Sequence, residues 1–534
     1  MNRVRHRRNY DLHSWTGVTL GLFVFVVSFS GCIALFDQEL KTWEDPAKRE
    51  TMPQHPVAIG EQFSHWAAET AQGDAVERAR FDFPTPLTPY YYARVEVHRS
   101  DDRHVTEEVR WSARTGDPLP ARGEGLTTWL LDFHRDLMWP AELGGRTIGR
   151  SVVGVAGVIV LLSILTGLIA HTKILRDLFT LRYYRSVRLK WQDTHKLMGV
   201  WLTPFFAMIA YTGAFLGIVA LLTPIVALLA FKGDQQALVN AVLGPPAEPA
   251  GIHAPMVSMD TIAQIPHPDS GRLPARVLMT HWGDQNATMD VLYTSEDKLV
   301  AFETLSVSAI TAEPVHTPPI EAVTPAQRVV DSMSPLHYGT FGGIALKWLY
   351  FVLGLMLCVV TVTGLMMWIE RRLHGREGTL NPVIYRRMSR AVVGLTLGLP
   401  MATLALFYLD KLYVGEEDAR LMWTGGAYFS VWLLTALGAC VARTDYQAVR
   451  WLVRGMGVGL VALPLLNLFT TGDAFWSGLT VGASWAWADV AFLVLGLLSL
   501  YVAHVLPQRR PVRTAPEPRT ETSTTLEASL GGAS

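Results

Sequence analysis

Long uncharged runs separated by polar, turn-rich stretches dominate this chain. The longest run, between Lys196 and Lys232, holds 35 residues, well beyond the ~20 that a helix needs to cross a bilayer. A second, Ser14–Phe36, follows Arg3, Arg5, Arg7 and Arg8. It continues through Ile33–Phe36 and is too long for a signal-peptide core, so it is read as a retained first span. Further runs at Ser151–Ala170 and Trp348–Ile369, and near 391–409, 421–442, 455–472 and 490–506, bring the predicted spans to eight.

Two polar inserts interrupt the first four runs. In the first, Tyr91–Val97 and Val105–Trp111 alternate as half-buried strands do, and Leu130–Leu137 reads as a short amphipathic helix at the outer surface. In the second, Arg276–Thr280, Thr288–Thr294 and Leu299–Leu305 are strand-like. The predicted fold is a polytopic α-helical membrane protein with two small, separate α+β inserts. Its first transmembrane helix is 1–36, followed by an insert at 37–150, the second and third helices with their loop at 151–231, and a second insert at 232–346. A fourth helix at 347–370, a further four-helix region at 391–506 and a tail at 507–534, disordered by composition, complete the chain.

Charge orients this arrangement. Lys173, Arg176, Arg182, Arg185, Arg188 and Lys190 precede the third span, and Arg371, Arg372, Arg376, Arg386, Arg387 and Arg390 follow the fourth. By the positive-inside bias these loops and both termini are cytoplasmic and the inserts lie outside. A net charge of -1, with the basic residues confined to short loops, excludes a nucleic-acid surface. Cys32, Cys358 and Cys440 all fall in apolar runs, which argues against a disulfide framework or a zinc site.

An internal repeat carries the chemistry. Aligned on His13 and His195, the pairs Gly17/Gly199, Val18/Val200, Leu20/Leu202, Phe23/Phe205 and Gly31/Gly213 are identical. Thr166-Gly167 in the second span matches Thr363-Gly364 in the fourth, and Trp368 stands where His171 would be repeated. Each copy is thus a helix with His at its inner end, an insert, an outer His (His134 or His337) and a returning helix. In the folded bundle this order places His13 and His195 at one depth and His134 and His337 at the other, and because 18 helical residues rise ~27 Å, Gly31 and Gly213 lie near the outer face. One imidazole pair per membrane face is what two six-coordinate b-type haems require. Taken singly, each histidine has a plainer reading as an interfacial polar residue; the duplicated spacing favours ligation.

His171 emerges at the inner depth as well, as a third candidate for two axial positions or as a partner for a propionate or a proton. Gly17, Gly157, Gly199, Gly354 and the four Ser/Thr-Gly pairs leave room either for close helix approach or for a flat porphyrin. Asp489 interrupts the last apolar run and is read as either paired in the interior or solvated at the interface. Tyr338 and Trp348 are read as an outer haem edge or, more cheaply, as aromatic belt residues. His374 is expected to be solvated. His55, His65, His98, His104, His253, His267, His281 and His316 lack zinc-motif spacing and are expected at the surface.

Several of these motifs together resemble one family. Asp11-Leu12-His13-Ser14-Trp15-Thr16-Gly17, Phe133-His134-Arg135, Asp193-Thr194-His195-Lys196-Leu197-Met198-Gly199, Leu336-His337-Tyr338-Gly339 and the Thr-Gly pairs are similar to the PepSY-associated transmembrane helix family, which includes inner-membrane ferric-siderophore reductases. The resemblance covers about residues 1–375; the last four spans inherit nothing from it. It implies PepSY-like periplasmic inserts, Val105–Leu119 with its Arg114-Thr115-Gly116-Asp117 turn being one module, in a bacterial inner membrane. It also implies electron transfer from an unidentified donor through two b haems to a ferric siderophore or similar chelate, with release of Fe(II). One-electron reduction loosens hard oxygen chelators. No Gly-rich nucleotide fingerprint is present, which places the donor outside this chain. Two other classes compete: a PepSY-containing transporter component, for which Pro204 is the one hint of a broken span, and a non-enzymatic sensor or regulatory scaffold built on the inserts.

Overall fold

The computed structural model describes residues 3–99, 103–120, 125–171, 179, 187–243, 248–295, 298–300, 302–315, 325–374 and 381–506. Most of the basic loop before the third span, Arg376, His316 and the tail at 507–534 lie outside the described residues.

Chain order begins with helix α1 (Arg3–Ala34), a short α2 (Asp37–Glu44), α3 (Gly60–Ala71) and strands β1 (Ala75–Asp82), β2 (Tyr90–His98) and β3 (His104–Ser112). Next come α4 (Leu126–Asp136), α5 (Gly145–Ala170), α6 (Val187–Trp201), α7 (Thr203–Ala230), α8 (Gln235–Leu243) and the single turn α9 (Met259–Ile262). Strands β4 (Arg276–Trp282), β5 (Thr288–Thr294) and β6 (Phe302–Ser308) lead to α10 (Pro325–Tyr338) and α11 (Gly343–His374). The chain closes with α12 (Pro382–Leu412), α13 (Glu417–Val441), α14 (Asp445–Thr471), α15 (Phe475–Thr480) and α16 (Ser484–Val505). Among the described residues eight helices, α1, α5, α7, α11, α12, α13, α14 and α16, are long and apolar enough to cross a membrane.

The expected third span differs from a single rod. Its helix breaks at Leu202 between α6 and α7, where Pro204 stands at the start of the new helix. Proline is at home in a first turn because its missing N–H would have no intrahelical acceptor there. The Thr203 hydroxyl donates across the break to the carbonyl of Gly199 at 2.6 Å. His195 is therefore carried by α6, and the apolar span itself by α7.

The two inserts, expected as separate units, share one antiparallel sheet of order β3-β2-β1-β4-β5-β6. The joint is β1 against β4, with Ala79 opposite Met279 and Phe81 opposite Val277. Phe63 of α3 and Met259 and Ile262 of α9 cover the apolar face formed by Val76, Phe81, Val95, Val277 and Val291. Joining the two three-stranded halves gives one continuous core. The halves also repeat a turn, Ser112-Ala113-Arg114-Thr115-Gly116-Asp117-Pro118 matching Ser308-Ala309-Ile310-Thr311-Ala312-Glu313-Pro314. In both, the Ser N–H donates to the carbonyl five residues on, at 2.9 Å. The left-handed position is Gly116 in one copy and Ala312 in the other.

The last four spans are bolted to the segment that follows α1. Asp489 on α16 is fully buried and accepts from the Trp43 indole at 2.7 Å and the Asn467 amide at 2.9 Å. This settles the two readings of Asp489 in favour of an interior pair. Arg49 donates to Asn467 at 2.9 Å and Asp473 at 2.8 Å, and its guanidinium lies over Trp485. Lys411 of α12 donates to the Trp43 carbonyl at 2.9 Å. Asp489→Ala would bury two donors without an acceptor, at about 1–3 kcal/mol each. The expected result is a melting temperature in detergent several degrees lower, with a smaller drop for Asp489→Asn; an unchanged Asp489→Ala melt would contradict the pairing.

Candidate functional site

Four histidines meet as two pairs. His13 on α1 and His195 on α6 have ring centroids 6.0 Å apart, with their planes inclined at 65°. His134 on α4 and His337 on α10 are 6.4 Å apart and nearly parallel at 13°. In each pair one ring comes from each copy of the repeat. Each ring is also held from outside its pair.

What holds each ring is a seat on a neighbouring span of its own copy. The His13 Nδ1–H donates to the Ser163 carbonyl of α5 at 3.0 Å, with the Thr166 hydroxyl 3.5 Å away. His195 donates to Val360 of α11 at 2.9 Å, beside Thr363 at 3.4 Å. His134 donates to Val27 of α1 at 3.2 Å, beside Ser30 at 3.2 Å. His337 bonds the backbone of Ile209 and the Thr212 hydroxyl of α7, the latter at 3.0 Å.

The rule is the same in all four: a carbonyl acceptor, a Ser or Thr three residues later, and a glycine one further on. Residues three and four apart share a helix face. The hydroxyls themselves donate to carbonyls of their own helix, as Ser30 does to Val27 at 3.0 Å and Thr363 to Val360 at 2.8 Å, which leaves an oxygen lone pair for the imidazole. The glycine supplies space. A Cβ on Gly31 would lie 2.8 Å from the His134 Cε1, and one on Gly213 2.9 Å from that of His337. At the inner pair the corresponding gaps are 3.0 Å at Gly167 and 3.1 Å at Gly364. The Ser/Thr-Gly pairs thus have a job that spacing alone left open: each seats one histidine.

This anchoring sets the tautomer. A carbonyl can only accept, so the proton sits on Nδ1 and Nε2 keeps its lone pair. Burial disfavours the charged ring and pushes the imidazolium of His134 down to about 4 and that of His337 down to about 3. His134 and His337 are therefore neutral nitrogen donors at neutral pH, and all four rings are oriented by a second shell as metal-bound histidines are. A metal–imidazole bond is about 2 Å, and a five-membered ring is centred roughly 1 Å behind its ligating nitrogen. Two imidazoles on opposite sides of one metal would therefore have centroids ~6 Å apart. The donor set and both separations fit a bis-histidine haem.

His171 joins neither pair. It caps the end of α5, and its Nδ1 is buried with no hydrogen-bond partner among the described residues. Gly17 and Gly199, one turn past His13 and His195, face open space, whereas Gly157 packs on Ala210 and Ala214 and Gly354 on Cys32. The first two therefore leave room beside the inner rings, and the last two bring helices together. Tyr338 stands edge-on to His337 at 5.6 Å, but Trp348 packs on Phe36 at 4.9 Å.

The outer pair depends on a brace that the residue spacing did not reveal. Trp129 and Phe133, on the helix that carries His134, pack on Tyr428 of α13 at 4.5 and 5.2 Å. The Thr127 N–H at the start of the same helix donates to the buried carboxylate of Glu44 at 3.0 Å. The missed signal was the aromatic period Trp129-Phe133, of which only Phe133 fell within Leu130–Leu137, the stretch read as an amphipathic surface helix.

A helical membrane protein with an extramembrane antiparallel sheet and paired histidines at two depths is the class these features define. The PepSY-associated TM region model matches residues 10–371, and the chain belongs to that family. It is similar to an uncharacterized protein of Pseudomonas aeruginosa, 26% identical over 360 residues that cover 64% of this chain and 86% of that protein.

The tighter outer seats predict a graded response to a single methyl. Gly31→Ala and Gly213→Ala should each cost about 1–3 kcal/mol by overpacking and lower the detergent melting temperature, while Gly17→Ala, whose methyl meets nothing, should not. Equal melting temperatures for all three would contradict the seat.

Proposed function

We propose that this protein is a di-haem b membrane oxidoreductase that passes electrons across the bilayer to a ferric siderophore or a similar ferric chelate and so releases Fe(II). The observation that carries the reading is the pair of histidine couples at centroid separations of 6.0 and 6.4 Å, each ring anchored through Nδ1. His13 and His195 would hold the inner group, and His134 and His337 the outer one.

When bound, the two haems would supply one-electron storage at either end of the spans, and axial imidazole ligation is a setting used for electron transfer. The chain's own residues do the rest. Four backbone carbonyls fix the ring orientations, and their hydrogen bonds to Nδ1 raise the donor strength of Nε2. Apolar side chains such as Phe25, Val26 and Phe29 on α1 keep the interior dry between the two depths. His171, whose Nδ1 is buried without a hydrogen-bond partner among the described residues, would receive a propionate. The joined sheet would be the surface offered to the chelate, and the positive-inside bias of the basic loops supports a periplasmic position for it in a bacterial inner membrane. The electron donor is a separate molecule.

Purified full-length protein from haem-replete cells should show b-type absorption bands and two haems per chain by pyridine hemochrome assay. His134→Ala or His337→Ala should each halve the haem content and reduce ferric-chelate reduction at least tenfold. His171→Ala should retain both haems. A colourless preparation, or full haem content in both outer variants, would defeat the proposal and return the transporter and scaffold readings to the front.

A further inference from the structure

Away from the membrane, Glu77, His98 and His104 stand together on the charged face of the sheet. Their candidate ligand atoms all lie within 4.8 Å of one another. The carboxylate bridges both rings: His98 Nδ1 is 3.5 Å from one oxygen and His104 Nδ1 is 3.7 Å from the other. The rings are 4.6 Å apart, nearly perpendicular.

Two features of the strands build this cluster. His98 and His104 are direct partners in the β2–β3 register, which puts both side chains on one face. Glu77 is the extra residue where the β1–β2 register shifts between Val76 and Arg78. Val76 and Ala79 are buried, and Glu77 and Arg78 between them are both exposed. A regular strand would turn one of those two inward. The bulge instead brings Glu77 out beside the histidines, a re-aiming for which bulges are suited.

The surroundings distinguish the cluster from ordinary surface charge. Elsewhere on this face carboxylates meet arginines: Asp82 lies between Arg80 and Arg276, and Glu96 and Glu108 flank Arg94. Glu77 meets two imidazoles. Two imidazole nitrogens and one carboxylate oxygen suit borderline divalent cations of the first transition row, whereas Mg²⁺ and Ca²⁺ prefer all-oxygen sets and Cu(I) prefers sulfur. Ligand atoms about 2 Å from a common metal lie ~3–3.5 Å apart. Small rotations of these exposed side chains close that gap with little desolvation to overcome.

We propose that Glu77, His98 and His104 form an extramembrane binding site for a divalent first-row transition cation, with the remaining coordination positions open to water or to a small chelator. The site does not depend on the haem reading, because it shares no residue with either histidine pair.

Zn²⁺ titration of the detergent-solubilised full chain by calorimetry tests the site. The expected result is one specific site, weakened at least tenfold in Glu77→Gln and lost in the double variant H98A/H104A, with no response to excess Mg²⁺. His65→Ala, which alters a ring facing Glu69 alone, should leave Zn²⁺ affinity unchanged. Cu²⁺ bound to the wild type should show electron paramagnetic resonance hyperfine structure from two nitrogens, which needs no variant to fold. Wild-type Zn²⁺ affinity in H98A/H104A, a loss caused by His65→Ala, or a Cu²⁺ spectrum without nitrogen coupling would each overturn the proposal.

Discussion

The hydrogen bond from an imidazole Nδ1 to a backbone carbonyl of an adjacent span is the constraint on which the rest of this protein turns. A carbonyl in a transmembrane helix normally has its own N–H partner four residues on, and here its second lone pair is used as well. For that to happen the ring must come within about 3 Å of a helix backbone, which a side chain on the facing turn would block. Glycine at that turn opens the approach, and the neighbouring hydroxyl lets the N–H be shared. Hydrogen bond, hydroxyl and gap are one device, used at Ser163, Val360, Val27 and Ile209.

Seen this way, the duplication has a mechanical sense. Each hairpin seats its own two histidines, and the pairs arise only where the hairpins meet. Neither copy alone presents two opposed nitrogens. The sheet follows the same logic outside the membrane, because β1 of one copy pairs with β4 of the other. Two contact regions, one among the helices and one in the sheet, thus resist relative movement of the copies. Such bracing holds the paired rings 6.0 and 6.4 Å apart.

The last four spans add to the brace. The Trp129 and Phe133 rings fill the space against Tyr428, and Glu44 accepts the N–H of Thr127 at the helix start. Glu44 belongs to the same short segment as Trp43, whose indole reaches Asp489. A polar chain buried at this junction is costly when incomplete and stiff when satisfied. The result ties the outer histidine to a four-helix unit on which no histidine of either pair lies.

Periodicity and spacing were enough to read the eight apolar helices, five of the six strands, the repeat and the identity of the four paired histidines. These features are written in local pattern, since a span needs a run of apolar residues and a repeat preserves distances along the chain. β1 escaped notice because Arg78 and Arg80 mask its alternation, and the helix break at Leu202 was signalled only by Pro204 inside an otherwise unbroken apolar run. Which of His13, His171 and His195 would pair was decided only by the packing of α1, α5, α6 and α11, since all three reach a similar depth. The sharing of one sheet by two inserts, the burial of His267 where surface placement was expected, the role of Asp489, and the meeting of Glu77 with His98 and His104 are likewise tertiary. Each depends on which strands or helices become neighbours, and that is settled by apolar area and hydrogen-bond partners available across the whole fold, far beyond the reach of any local pattern.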